Sequence, residues 1–203
     1  NTRVPEVNAS YGESGARVVP AYLEMNRRFF KTLDESTLCT MVYRAYPASA
    51  ARQALAWDQE YVLQEFLNRV KLIDDTDTSA RLLMQRSRLT VVNYLSTSYL
   101  EALLADVPTI ILWNEHAYLL EDRYEGFFDG LVAARICHTD PAEAARFVDQ
   151  IKKDPESWWL SPTVRRARAA FLETNIGSPS VLVKHLVDHA RGPRDTATLQ
   201  DSK

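Results

Sequence analysis

Cysteine is scarce in this chain: two in 203 residues, Cys39 and Cys137, at no spacing that suits metal ligands. Each sits inside an apolar run, which predicts buried free thiols in a reducing compartment and excludes a disulfide framework. Long hydrophobic runs are missing too. No apolar stretch approaches the roughly 18 residues of a membrane span, and no secretory leader opens the chain, so a soluble, cytoplasmic protein is expected. Basic charge is not in excess. Lys and Arg number 24 against 27 Asp and Glu, a net charge of −3, so no global field draws nucleic acid or an anionic membrane. An initiating Met is also lacking, and the irregular polar start suggests an excised domain or fragment.

What is present is ordinary globular material, 46% hydrophobic and 25% charged, of a length that fits one large α/β domain. Residues 1–17 read as a loop or inter-domain linker, 18–192 as the domain and 193–203 as a polar, disordered tail. Pro20 suits the first turn of a helix running to Leu33, whose stripe is Tyr22, Leu23, Met25, Phe29, Phe30 and Leu33. Asp34-Glu35-Ser36 turns the chain into a strand, Leu38 to Tyr43, that ends in Arg44-Ala45-Tyr46-Pro47. Ala48 to Leu67 is helical with a break near Asp58, and Val70 to Ile73 is a short strand ending in Asp74-Asp75-Thr76-Asp77. Thr78 or Asp77 caps a helix through Leu82, Leu83 and Met84. Further on, Glu115 to Ala134 leads from loop to helix, Ile136 to His138 is a last strand, and Thr139-Asp140-Pro141 starts a helix to Lys153. Trp158 and Trp159 precede a helix over Pro162 to Thr174, and Ser178 begins the last one.

The organising stretch is Val91 to Ile111. Val91 to Leu95 and Thr109 to Trp113 are apolar or β-branched without polar alternation, the pattern of strands covered on both faces of a parallel sheet. Between them come a hydroxyl-rich turn, a short helix and a tight turn at Asp106-Val107-Pro108. About five strands alternate with helices, which predicts right-handed crossovers and a Rossmann-like, doubly wound parallel sheet flanked by helices. Ligands of such sheets gather outside the carboxyl ends of the strands. Arg44 to Pro47, Asp74 to Asp77 and Ser96 to Ser98 are three polar clusters at such ends, favouring a phosphorylated or nucleotide ligand.

Each candidate has a plainer role beside the functional one. Ser96, Thr97 and Ser98 stand where free N–H groups of a helix start can hold phosphate, but Ser96 or Ser98 also suits a simple cap. Arg44 can grip a phosphate bidentately or be an ordinary surface arginine. Glu101 can bind ribose hydroxyls or complete a capping box with Ser98, and the two roles compete for one carboxylate. Asp74 and Asp75 fit a turn and helix cap better than a Mg²⁺ site. His116 and His138 read as structural or solvent-facing. Trp158 and Trp159 read as anchors for the C-terminal helices.

Arg44-Ala45-Tyr46-Pro47, Tyr94 to Glu101 (YLSTSYLE), Pro108 to Asn114 (PTIILWN), Trp158-Trp159 and Ala167-Arg168-Ala169-Ala170-Phe171 stand in an order that resembles one group of GT-B-type transferases. These are bacterial enzymes of surface-carbohydrate assembly, and the chain is similar to their C-terminal half over roughly Pro20 to Asn175. The resemblance implies a domain that binds a nucleotide-activated sugar. Arg44, Tyr46, Ser96, Thr97 and Ser98 would lie on the donor phosphates and Glu101 on the ribose. Related enzymes carry His where Tyr46 stands, so imidazole chemistry is not expected there. No metal or other cofactor is implied. The acceptor domain, a further N-terminal half, would supply the base, and the full-length enzyme would associate peripherally with the membrane. This half alone would be inactive. Alternatives on the same fold are an alcohol-phosphate transferase, a sugar-nucleotide epimerase and a non-catalytic docking module.

Overall fold

The computed structural model describes residues 15–44, 62–66, 68–73, 79–93, 97–115 and 126–176. In chain order the elements are α1 (Gly15–Thr32), α2 (Glu35–Leu38), β1 (Val42–Arg44), a 3-10 turn (Leu63–Glu65), β2 (Lys71–Ile73), α3 (Ala80–Arg86), β3 (Thr90–Val92), α4 (Thr97–Leu104), β4 (Thr109–Leu112), α5 (Asp129–Ala133), β5 (Cys137–His138), α6 (Pro141–Ile151), α7 (Pro155–Trp159) and α8 (Pro162–Ile176). Among the described residues every strand pairing is parallel. The fold is α/β, with parallel sheets flanked by helices as in Rossmann-like domains. Among the described residues no helix is long and apolar enough to cross a membrane.

Hydrogen bonding divides the five strands into two groups, β1-β2 and β3-β4-β5. The starts of both groups surround one end of α6. Lys152 Nζ reaches Asp34 at 3.0 Å ahead of β1, while Arg88 ahead of β3 donates to the Lys153 carbonyl.

β4 is the centre. All four of its residues are buried, and its side chains alternate between two apolar layers. Ile110 and Leu112 join Phe29, Phe30, Leu38, Leu63 and Val148, a core under α1 and α6 into which Tyr43 and Leu72 of the smaller sheet also pack. Ile111 joins Leu103, Leu131, Trp159, Val164 and Phe171 under α4, α5, α7 and α8. Burial on both faces explains why this strand reads as a continuous apolar run.

The crossovers into β4 and β5 use one turn twice. After α4, the Asp106 N–H donates to the Leu103 carbonyl and the Val107 N–H to that of Ala102. After α5, Arg135 and Ile136 repeat this on Val132 and Leu131. These are Schellman turns, with Asp106 (φ 55°) and Arg135 (φ 59°) in the left-handed position that glycine usually takes. Asp140 caps α6 by accepting from the Ala142 N–H, with Pro141 in the first turn as the sequence indicates.

Several boundaries differ from the sequence reading. α1 begins at Gly15, so Pro20 lies inside the helix. Asp34 starts the short α2, and the strand expected from Leu38 begins only at Val42. Leu38 is instead the buried end of α2. α3 is preceded by Ser79, neither Asp77 nor Thr78, because the helix begins later than the cap pattern suggested. The two tryptophans lie within α7, a helix the periodicity did not show, started by Asp154 accepting from Ser157. Cys39 is exposed, correcting the expectation of two buried thiols. It follows the last residue of α2, where Leu38 takes the inward position. The expected helix over Ala48 to Leu67 falls largely outside the described residues, as does the one beginning at Ser178.

Candidate functional site

The site is built around the start of α4, directly beyond the carboxyl end of β3. An α-helix leaves the N–H groups of its first turn without acceptors inside the helix. Here that turn carries Thr97 and Ser98 and no acidic residue, so the positive end of the helix dipole is unopposed within it. The helix turns Ala102 and Leu103 into the core. Tyr99 is half-buried, its ring centroid 6.1 Å from that of Phe128 and 6.4 Å from that of Phe171. Burial, with a smaller contribution from the nearby Cys137, holds its phenol above the ordinary tyrosine range. Thr97 and Glu101 are exposed and Ser98 is half-buried.

This register bears on the competition over Glu101. Helix α4 begins at Thr97, which makes Ser98 its second residue. A capping box requires the hydroxyl residue before the helix and the carboxylate at its third position, and Ser98 with Glu101 does not meet that. The two side chains are three residues apart on adjoining parts of the helix surface, with Glu101 turned to solvent.

Arg44 is the last residue of β1, at the carboxyl end of the smaller sheet, and is half-buried. Thr97, Ser98 and Glu101 are thus gathered on one helix, while Arg44 stands on the other strand group. Tyr46, Ser96, Asp74 to Asp77 and His116 lie outside the described residues. Among the described residues no three His, Cys, Asp or Glu side chains gather as a metal site.

His138, at the end of β5, is buried. Its Nε2 lies 2.9 Å from the Arg135 carbonyl oxygen. A carbonyl can only accept, so Nε2 carries the proton and donates. Burial lowers the imidazole pKa, opposed by that bond and by Glu143, and the ring packs 5.5 Å from Phe147. The residue is structural, as its sequence context suggested.

Sequence reasoning missed an asparagine cluster at this same edge. Asn93 follows β3, and its Nδ2 donates to Asn26 Oδ1 at 2.8 Å. Asn26, buried within α1, donates to the Tyr22 carbonyl at 3.0 Å. Asn114, two residues beyond β4, donates to the Ala21 carbonyl at 3.0 Å. One stretch of α1 is thereby tied to the ends of two neighbouring strands. The signal was a polar residue in the apolar stripe between Met25 and Phe29, and an asparagine just past two apolar strands.

The opposite edge is closed by the tryptophan pair. Trp158 Nε1 donates to the Ala134 carbonyl, and Trp159 Nε1 reaches both Asp106 Oδ1 (2.9 Å) and its carbonyl (3.1 Å). Arg168 forms an ion pair with the same Asp106. A shallow, open depression lined by Leu160, Pro162, Arg165, Arg166 and Ala169 lies beside this clamp, on α8 and the turn before it, and contributes nothing to the carboxyl edge. The anchoring role expected of the tryptophans is what the structure displays.

No curated protein and no solved structure matches the chain. The model of a family described as the LIC12162 family transferase matches residues 1–186, most of the sequence. The chain belongs to the LIC12162 family of transferases.

Proposed function

We propose that this chain is the donor-binding half of a metal-independent glycosyltransferase of surface-polysaccharide assembly, taking a nucleotide-activated sugar. The observation that carries the reading is the start of α4. In a chain of a transferase family, a helix opens at the carboxyl end of a parallel strand with two hydroxyl residues and no acid in its first turn. Donor phosphates would accept hydrogen bonds from those N–H groups and from the hydroxyls of Ser96, Thr97 and Ser98. As the sugar departs, negative charge grows on the nucleotide phosphate. The helix start and the Arg44 guanidinium would stabilise that charge more than the ground state, which is what lowers the barrier. Tyr46 would donate a further hydrogen bond to the phosphate, and solvent-facing Glu101 would accept from the ribose hydroxyls. The acceptor and the catalytic base would belong to an N-terminal partner domain, and the full-length enzyme would work at the cytoplasmic membrane surface.

Calorimetry and thermal-shift measurements with millimolar CMP, CDP, UDP, GDP and dTDP test the reading. One of them is expected to stabilise the protein, with the effect lost in Arg44→Ala and Ser98→Ala and weakened in Glu101→Gln. If none binds at millimolar concentration, or if the three variants bind like the wild type, the donor-site assignment is wrong.

A further inference from the structure

The asparagine cluster is directional, is anchored on buried Asn26 and stands at the edge where the proposed site lies. Its geometry fixes the orientation of each amide. The Tyr22 carbonyl can only accept, so Asn26 must turn its Nδ2 toward it. That leaves Asn26 Oδ1 facing Asn93, which can meet it only with its own Nδ2. Asn26 is 1% exposed, and an apolar side chain at this point of the α1 stripe would bury without the cost of desolvating an amide. Such a partly buried bond contributes little net stability, but it specifies a unique arrangement.

The arrangement it specifies is that of the strand ends. Asn93 is the last described residue before 94–96, the three residues that join β3 to α4. Asn114 ties the neighbouring strand to the adjacent turn of α1. Further along α1, Met25, Phe29 and Phe30 pack into the apolar core, contacts that carry no direction.

The geometry points to Asn26 and Asn93 as positioning residues: through their mutual hydrogen bond, α1 sets where the start of α4 stands and so tunes the affinity of its phosphate cradle. The nucleotide part of this inference rests on the proposed function. The positioning part concerns the protein alone. The pair touches no ligand and acts through its place on the chain just ahead of α4.

The experiment compares wild type with Asn93→Asp, which sets an acceptor against Asn26 Oδ1, and with Asn93→Ala, which removes the side chain without adding charge. Trp158→Phe is the control: it deletes one partly buried hydrogen bond at the opposite edge. Hydrogen exchange of peptides covering residues 97–104, without nucleotide, is expected to quicken in both Asn93 variants and to stay unchanged in Trp158→Phe. The best-bound of CMP, CDP, UDP, GDP and dTDP is expected to bind about five- to tenfold more weakly to the Asn93 variants, a change worth one modest hydrogen bond, and normally to the control. Unchanged exchange in the Asn93 variants overturns the positioning claim, whatever the nucleotides do. Quickened exchange with unaltered affinity overturns the link to the cradle. If no nucleotide binds the wild type, the exchange result still decides the positioning claim, and the donor-site reading fails separately.

Discussion

The guanidinium of Arg168 lies 4.0 Å above the ring of Trp159, and the two side chains converge on a single residue, Asp106. That residue occupies the left-handed position of the turn into β4, a conformation that costs a non-glycine residue on the order of 1 kcal/mol. The stacked pair supplies the offsetting contacts. It also joins α7 and α8 to the central strand.

The two ends of this ion pair should respond unequally to substitution. The side chain of Arg168 is 9% exposed and that of Asp106 65%. Asp106→Asn keeps a residue tolerant of positive φ but leaves a buried cation without its counter-charge, a loss of about 3 kcal/mol. Arg168→Met leaves Asp106 facing water and keeps apolar cover over Trp159, for a loss of about 1 kcal/mol. Urea denaturation of both variants should give that order, and the reverse order would show that the stacking outweighs the charge.

Acid should weaken the fold beginning just below pH 6.5. His138 has its pKa depressed by burial from 6.5, so the unfolded chain takes up a proton where the folded chain does not. Above pH 6.5 both forms are neutral and the residue adds no pH dependence. Below it, stability falls by up to about 1.4 kcal/mol per pH unit until the folded imidazole also protonates. Stability measured from pH 7.5 to 5 should show this slope in the wild type and a flatter one in His138→Gln.

The two thiols should separate cleanly. Burial pushes the Cys137 thiol up to about 12, so almost no thiolate exists at pH 8 in the folded protein. Cys39 is exposed. Titration with an aromatic disulfide reagent at pH 8 should count one thiol in the native protein and two in denaturant, and Cys39→Ser should abolish the native signal. Rapid reaction of both in the native state would contradict the packing around β5.

Much of this architecture is legible in the residues. β4 and the cap of α6 are written in runs that only one structure satisfies: a fully apolar strand in one case, Asp-Pro before an amphipathic stripe in the other. Short elements were less legible. α2 and α7 have four and five residues, too few for a period to emerge, and both are held by contacts distant in sequence, such as Asp149 with Asp34 and Thr37. The candidate site was legible as a region. Thr97, Ser98 and Glu101 do sit on the first turns of α4, but the exclusion of the capping box needed the start of the helix to within one residue. The asparagine cluster was hidden because Asn93 lies 67 positions from Asn26 and Asn114 lies 93 from its partner Ala21, and each alone resembles an ordinary polar residue.

The central strand carries one more consequence. β4 presents isoleucine to both apolar layers, so a slide of one residue, which would exchange its two faces, meets little resistance from hydrophobicity between Ile110 and Ile111. Resistance must come from the ends. Thr90 donates to the Pro108 carbonyl, Trp113 donates to that of His138, and the Asn114 amide hooks onto α1. The strand is tethered fore and aft by polar bonds, and its greasy middle is indifferent to alignment. Loss of Asn114 would therefore be felt as misregistration of a strand, not as a softened core.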